Sequence, residues 1–213
     1  MFLFKLDRDS RIVEVSSGEF VACWKEFYDE VTYPTEEYEK NLNLGGFLTD
    51  QNVAALLRWK LGFLPVEERH ELVNKLALKV SKKLELLNQF RSLETVTKEQ
   101  FLTFWEVCLG LAREVNRHFV IGTFLIHVAR PLEYPMTDQH TLRAHYFIEH
   151  GEVIDSTRKL ETYEYYKIFL AFSHKFHELS RCAQRDVDKA LWSFGKRLKQ
   201  TIREHPEVMS TLH

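Results

Sequence analysis

The chain has 213 residues, of which 45% are hydrophobic and only 8 are glycine and 5 proline, a composition that predicts a compact, mainly α-helical protein. Its 29 basic and 31 acidic residues give a net charge of −2. The overall charge therefore does not indicate nucleic-acid binding, although a local basic face is compatible with it. No stretch approaches the roughly 20 apolar residues that span a bilayer, and we expect a cytoplasmic monomer with no membrane partner.

The three cysteines, Cys23, Cys108 and Cys182, lie far apart and form no C-x-x-C pair. Such spacing indicates buried thiols and gives no sign of a disulfide framework, a zinc site or an iron–sulfur cluster. We expect neither a metal nor another cofactor.

At the start of the chain, residues 2–6 and 11–15 have β-strand character and flank a turn at residues 7–10. This arrangement predicts a small N-terminal β-hairpin. Residues 20–28 follow with the spacing of a helix that buries Trp24.

The periodic pattern then dissolves, and residues 29–49 are predicted to form a long loop through Pro34 and a glycine pair. A long loop in a compact domain is often functional, so this one could border the site. Asp50 is placed to cap the next helix, which we expect to run through Leu61.

Pro65 opens a further helix with one apolar stripe from Leu72 to Leu87, which is core packing. Thr97 and Gln100 have the spacing of a capping box and predict another helix through about Val115.

The central stretch, residues 117–148, changes in glycine content, proline content and apolar period within a few residues. Gly122 is predicted to begin an apolar helix that ends before Pro131, since a proline ring cannot continue the hydrogen-bond ladder. Pro135 stiffens the connection that follows. Asp138 then stands where an N-cap residue would stand, and its carboxylate is expected at the start of the next helix.

After a stop at Gly151, residues 163–176 are predicted to form a central, largely apolar helix. His174 and His177 on it have a spacing that could hold a metal, but no partner ligands are marked, and we interpret the pair as structural. Asp186 is expected to cap the last helix, which runs through Gln200.

The central order of residues can be written Pro131-x-x-Tyr134-Pro135-x-x-Asp138-x-x-x-x-Arg143, and it resembles the helix-hairpin-helix DNA glycosylase superfamily. The closer resemblance is to the branch around archaeal 8-oxoguanine DNA glycosylase and its bacterial relatives, which include anti-phage glycosylases. Residues 56–62 (LLRWKLG) and 188–196 (DKALWSFGK) are also similar to those relatives. The resemblance implies a single domain with a helical fold of two lobes, 1–96 and 97–213, and a helix-hairpin-helix-like element whose hairpin is residues 116–122 and whose second helix is residues 123–129.

The resemblance also implies roles for individual residues. Asp138 would be the catalytic carboxylate, because cleavage of an N-glycosidic bond builds positive charge on the sugar. From spacing alone, Asp138 is equally well an N-cap with no catalytic role. The expected partner is double-stranded DNA with a modified base that is flipped out of the stack. The expected DNA-binding residues are Arg117, His118, Gly122, Arg130 and Arg143, with Lys196, Arg197 and Lys199 as further basic candidates. The expected base-pocket residues are Trp59, Phe119, Tyr134 and His140.

Many members of the superfamily attack the sugar with a lysine in or beside the hairpin helix. Here Thr123 and Phe124 stand in that place, and no lysine lies between Lys98 and Lys159. We therefore expect a monofunctional DNA glycosylase that uses water and leaves an abasic site.

Its substrate could be a hypermodified phage cytosine, such as glucosylated hydroxymethylcytosine, in anti-phage defence, or 8-oxoguanine in base excision repair. Two alternatives remain open at this point. One is a non-catalytic helical module that binds DNA or protein, which the balanced charge and the missing lysine favour slightly. The other is hydrolysis of a free nucleoside or nucleotide by the same aspartate.

Overall fold

The computed structural model describes residues 3–6, 12–113, 115 and 117–204, with side chains from residue 15 onward. Ten α-helices lie within those residues, and the prediction of a mainly α-helical bundle is confirmed. The helices are α1 (Ser17–Trp24), α2 (Thr35–Leu42), α3 (Asp50–Lys60), α4 (Val66–Ser81), α5 (Leu84–Ser92), α6 (Lys98–Ala112), α7 (His118–Ala129), α8 (Gln139–His150), α9 (Tyr163–Ser180) and α10 (Gln184–Glu204). Short 3-10 helices add Lys25–Phe27 and Arg158–Leu160. Among the described helices, none combines the length and the apolar character that crossing a membrane requires.

Strands β1 (Leu3–Leu6) and β2 (Ile12–Val15) precede the helices and pair antiparallel, with Leu3 opposite Val15. The predicted turn at residues 7–10 lies outside the described residues. The β-hairpin as a whole therefore stays a prediction.

Contacts group the chain into two compact units. Unit 1 consists of Met1–Tyr28 together with Tyr134–His213, and unit 2 is the continuous segment Asp29–Glu133. The boundaries fall after Tyr28 and after Glu133, whereas the sequence had suggested lobes that meet near residue 96. The second boundary lies between α7 and α8, so Gly122 and Asp138 belong to different units.

In unit 2 the principal helix pair is α6 packed on α7. Gly122 lies in the second turn of α7, where an added Cβ would stand 2.2 Å from Leu109 Cδ2 and 3.1 Å from the Leu109 Cα. The prediction that α7 begins near Gly122 is wrong by one turn, because α7 starts at His118. The glycine permits close helix packing there and does not form the turn itself. The end of α7 before Pro131 is confirmed.

The predicted loop 29–49 contains a helix, α2, and that prediction is corrected here. Tyr38 and Leu42 are spaced one turn apart and are both buried. Glu36 and Glu37 lie in the first turn of α2, where the helix dipole favours negative charge. This single buried pair was too short a signal to stand out beside Pro34 and the glycines.

Other boundaries differ by smaller amounts. The stripe that opens at Pro65 is divided into α4 and α5 between Ser81 and Leu84. Thr49, and not Asp50, is the N-cap of α3, and α10 starts at Gln184, two residues before Asp186. The capping box of Thr97 and Gln100 is confirmed at the start of α6.

In unit 1 the helix α10 packs against α8 and α1, and α9 covers α1. The core is aromatic: the ring of Phe20 lies 5.1 Å from Phe194 and 5.7 Å from Phe176, in edge-to-face contacts. Each such contact adds about 1 kcal/mol to the stability that burial supplies. This core supports the face of α10 that contacts the start of α8.

His145 of α8 is 1% exposed and lies against the rings of Phe172 (4.5 Å), Tyr165 (5.3 Å) and Phe169 (5.7 Å). Neither of its ring nitrogens has a hydrogen-bond partner within the described part of the chain. Burial lowers the pKa of His145 from 6.5 to about 4, and His150 lowers it further in the same direction. The folded protein therefore holds His145 neutral at pH 5, where the unfolded chain binds a proton.

We predict that the free energy of unfolding falls as the pH falls from 6.5 towards 4, and that His145→Phe reduces this loss. At pH 5 the unfolded state binds a proton at His145 that the folded state does not bind. For one such histidine this difference lowers the free energy of unfolding by about 2 kcal/mol. Urea titrations at pH 7.5 and pH 5 measure the difference, with the exposed His174→Gln as control. A variant at position 145 that loses as much stability between the two pH values as the parent would contradict the prediction.

Candidate functional site

Asp138 is the N-cap of α8, as the sequence predicted. One carboxylate oxygen, Oδ1, accepts hydrogen bonds from the backbone N–H groups of His140 (2.8 Å) and Thr141 (3.2 Å). In return the Asp138 N–H donates to Thr141 Oγ1 at 2.9 Å, which completes a capping box. The carboxylate is thus fixed at the positive end of the α8 dipole, where a negative charge is stabilised.

The chain that leads into Asp138 is also held. Pro135, Met136 and Thr137 are buried, and the Thr137 hydroxyl donates to the Pro135 carbonyl at 3.3 Å. Asp138 itself retains 8% exposure. Its carboxylate is therefore restrained from both sides of the chain while it keeps limited access to solvent.

The first turn of α8 lies directly against α10 at Gly195. A Cβ added to Gly195 would stand 1.9 Å from the His140 carbonyl oxygen and 2.6 Å from the His140 carbonyl carbon. Both are backbone atoms, so no side-chain rotation could relieve the overlap. Only glycine allows the two helices to approach this closely.

His140 lies between Asp138 and α10. Its ring meets the Trp192 ring edge-to-face at 5.2 Å, and its Nδ1 has no hydrogen-bond partner in the described residues. Burial lowers the pKa of His140 to about 4, while the Asp138 charge opposes part of that shift. His140 is therefore neutral at pH 7, with one ring nitrogen as a donor and the other as an acceptor.

Arg143 follows on α8 and is 1% exposed. Its guanidinium donates to the carbonyls of Asp155 (2.7 Å), Ile154 (2.8 Å) and Gln139 (3.3 Å). Its donors thus tie the segment after Gly151 to α8. Arg143 is therefore buried within unit 1, and its guanidinium does not lie on the surface.

The other expected DNA-binding residues lie in unit 2. Arg130 is buried and donates to the backbone carbonyls of Phe90 and Leu93 and to the Glu133 carboxylate, so its cation is committed within the fold. Gly122 is enclosed in α7 and presents no surface. Arg117 and His118 are exposed at the start of α7, and Arg117 lies over the Phe63 ring at 5.0 Å.

The four expected base-pocket residues are divided in the same way. Trp59 is buried in unit 2, where its Nε1 donates to the Pro34 carbonyl at 3.0 Å and its ring stacks on Phe124. Phe119 is buried against Trp105. Tyr134 and His140 lie in unit 1 with Asp138. His140 alone of the four is built into the same helix start as Asp138.

Sequence reasoning did not single out Trp192 or Tyr28, although Trp192 lies in one of the quoted stretches. The two rings meet edge-to-face at 5.3 Å, and Lys196 lies over the Trp192 ring at 4.7 Å. Lys199, one turn further along α10, donates to Gln139 Oε1 at 3.4 Å, beside Asp138. The helical period of residues 188–199 could have placed Trp192, Lys196 and Lys199 on one face of the helix. The contact with Tyr28 could not be predicted in this way, because Tyr28 and Trp192 are separated in sequence by the whole of unit 2.

Comparison of the chain with known protein families, with curated proteins and with solved structures found no match. Within the described residues, no group of three or more histidine, cysteine, aspartate or glutamate side chains is arranged to hold a metal ion.

We predict that Gly195→Ala lowers the free energy of unfolding by about 1–3 kcal/mol, because α10 must move away from α8 to accommodate one methyl group. Gly110→Ala is the matched control. Gly110 also lies within a helix, but nothing lies within 4 Å of its added Cβ, so alanine there stabilises by about 0.5–1 kcal/mol. Urea unfolding of both variants measures the difference, and equal stabilities would show that the close approach does not restrict residue 195.

Proposed function

We propose that the protein is a monofunctional DNA glycosylase, which hydrolyses the bond between a modified base and its deoxyribose and leaves an abasic site. The observation that supports this most directly is the Asp138 carboxylate, fixed at the start of α8 beside a neutral His140 and the Trp192 ring. The resemblance of the central stretch to helix-hairpin-helix glycosylases is the second support. In that resemblance, α6 and α7 would correspond to the two helices of the helix-hairpin-helix element.

In the proposed reaction the base leaves with the electron pair of the C–N bond, and positive charge builds on the sugar. A carboxylate close to the sugar stabilises that charge, and its orientation requires no rearrangement because the capping hydrogen bonds hold it in advance. The oxygen of a water molecule then bonds to the sugar carbon and its proton passes to Asp138 or to solvent. The departing base takes up a proton and is released.

His140 would contribute to recognition of the base. A neutral imidazole has one N–H donor and one nitrogen acceptor, and either kind of group can hydrogen-bond the edge of a base. Trp192, 9% exposed, borders the same place with an aromatic edge. A flipped base needs such a combination of one polar contact and an apolar wall.

Three polar side chains of residues 29–49, the segment that the sequence suggested could border the site, form hydrogen bonds within unit 2. The Thr35 hydroxyl donates to Glu30, Asn41 donates to the Glu37 carbonyl, and Asn43 donates to the Phe47 carbonyl. These bonds give no preference for a base that carries a bulky sugar, so the proposed substrate is stated only as a modified base. Base release from a panel of oligonucleotides with glucosylated hydroxymethylcytosine, 8-oxoguanine and unmodified bases identifies which base is the substrate.

A second candidate function is a helical module without catalysis that binds DNA or protein. The resemblance implies that Gly122, Arg130 and Arg143 contact DNA, but Gly122 is packed against Leu109 and both arginines are buried. The burial of these three expected DNA-binding residues favours a protein partner for such a module. Base release from any member of the panel distinguishes the two functions.

We predict that Asp138→Asn reduces base release by about a hundredfold or more, because asparagine cannot carry the negative charge that the transition state requires. Asparagine still caps a helix, so stability should change by only a few tenths of a kcal/mol. Asp155→Asn removes the same charge from an exposed position of unit 1 and serves as the matched control. Activity of Asp138→Asn within about tenfold of the parent, a barrier change of roughly 1.4 kcal/mol, would remove Asp138 from the catalytic role.

We predict that the enzyme breaks the DNA strand only after alkali treatment and forms no covalent adduct with borohydride. An amine nucleophile would form an imine with the opened sugar, which borohydride reduces to a stable bond, whereas a water mechanism forms none. Lys199 is the amine to test first, since it contacts the residue next to Asp138. An adduct that survives denaturation and disappears in Lys199→Ala would replace the water mechanism by a lysine mechanism.

A further inference from the structure

One face of α10 carries positive charge along its whole length. Helical periodicity places positions 185, 189, 192, 196, 199 and 203 within one narrow stripe. They are Arg185, Lys189, Trp192, Lys196, Lys199 and Arg203, hereafter the α10 stripe. It holds five cations and no acid over about 27 Å of helix, in a chain whose net charge is −2.

Two aromatic rings hold three of these cations in place. The Arg185 guanidinium lies 4.8 Å from the Tyr28 ring centre, and its Nη2 donates to the Tyr28 hydroxyl at 2.9 Å. Lys189 lies over the same ring at 5.4 Å, and Lys196 over the Trp192 ring at 4.7 Å. Such contacts keep the charge and reduce the freedom of long side chains, so less entropy is lost when an anion binds.

The α10 stripe also passes the start of α8. Lys199 contacts Gln139, and Trp192 contacts His140, the two residues that follow Asp138. A ligand bound along the stripe would therefore run beside the Asp138 carboxylate.

We propose that the α10 stripe binds the sugar–phosphate backbone of one DNA strand and holds it beside Asp138; the choice of DNA rests on the proposed function. A straight row of cations, one side chain wide, fits the row of phosphates on a single strand, since proteins that bind single strands follow the backbone with positive charge. A membrane surface fits poorly, because the stripe has no apolar side chains to insert beyond Trp192.

Tyr28 acts as a positioning residue. Its hydroxyl accepts a hydrogen bond from Arg185, and its ring lies under the cations of Arg185 and Lys189. Removal of the ring should weaken binding although both cations remain, and phenylalanine should restore part of the loss because it keeps the ring.

The test measures how the α10 stripe contributes to the salt dependence of binding. A fluorescently labelled, unmodified single-stranded oligonucleotide is titrated with protein at several salt concentrations, and anisotropy reports the affinity. Each phosphate contact contributes about 0.7 to the slope of log affinity against log salt for a single strand. Arg185→Gln/Lys189→Gln should therefore make the slope shallower by about 1.4. Lys196→Gln/Arg203→Gln should act in the same way from the other end.

Arg158→Gln/Lys175→Gln removes the same charge from exposed positions of unit 1 outside α10 and is the matched control. Circular dichroism and urea midpoints verify that all variants fold. Tyr28→Leu should weaken binding at constant charge, and Tyr28→Phe should bind more tightly than Tyr28→Leu. Equal slopes for the stripe and control variants would overturn the proposal, as would competition by polyglutamate as strong as that by single-stranded DNA, which would indicate an acidic protein partner.

The oligonucleotide contains no modified base, so the binding that this experiment measures does not depend on base release. If stripe variants lose the slope while no substrate releases a base, strand binding stands and the proposed function fails. If base release occurs and the stripe variants bind like the control, the function stands and the strand runs elsewhere.

Discussion

The contact between Gly195 and the His140 carbonyl is the constraint on which the candidate site depends. Because α10 has no side chain at that point, its backbone reaches the first turn of α8. Trp192, one turn earlier on α10, then lies against the His140 ring. The burial of His140 and its contact with the Trp192 ring thus both depend on one close helix packing, whereas the Asp138 carboxylate is held by the first turn of its own helix.

Local signals were sufficient to predict some of this arrangement. The N-cap at Asp138, the capping box at Thr97 and the end of α7 before Pro131 depend only on residues within a turn or two, and all three are confirmed. Helix starts that depend on packing were less accurate. Gly122 looked like a helix boundary in sequence, but it is a contact point for Leu109 of α6.

The residues that could not be predicted are those whose role depends on distant contacts. Arg130 and Arg143 are basic and lie in the expected stretch, yet each donates to backbone carbonyls that sequence alone does not locate. Trp59 and Phe119 were expected in a base pocket, but tertiary contacts bury both rings in the core. Conversely, Tyr28 gains its neighbours Arg185 and Lys189 from the far end of the chain. Charge, aromaticity and spacing in the sequence identify candidate site residues. Tertiary contacts are needed to distinguish the candidates that are buried in the fold from those that lie on the surface.

The interruption of unit 1 by unit 2 has a consequence for the order of folding. The ion pair between Lys25 and Asp186 joins residues 161 apart in sequence, and α1 needs α9 and α10 before it can bury Phe20 and Trp24. Contacts this distant carry a high loop-closure cost and slow folding. Unit 2 is continuous and can fold from its own segment, and once folded it replaces more than a hundred flexible residues by a compact insertion. The first helix of the protein is therefore expected to be among the last to acquire its native packing.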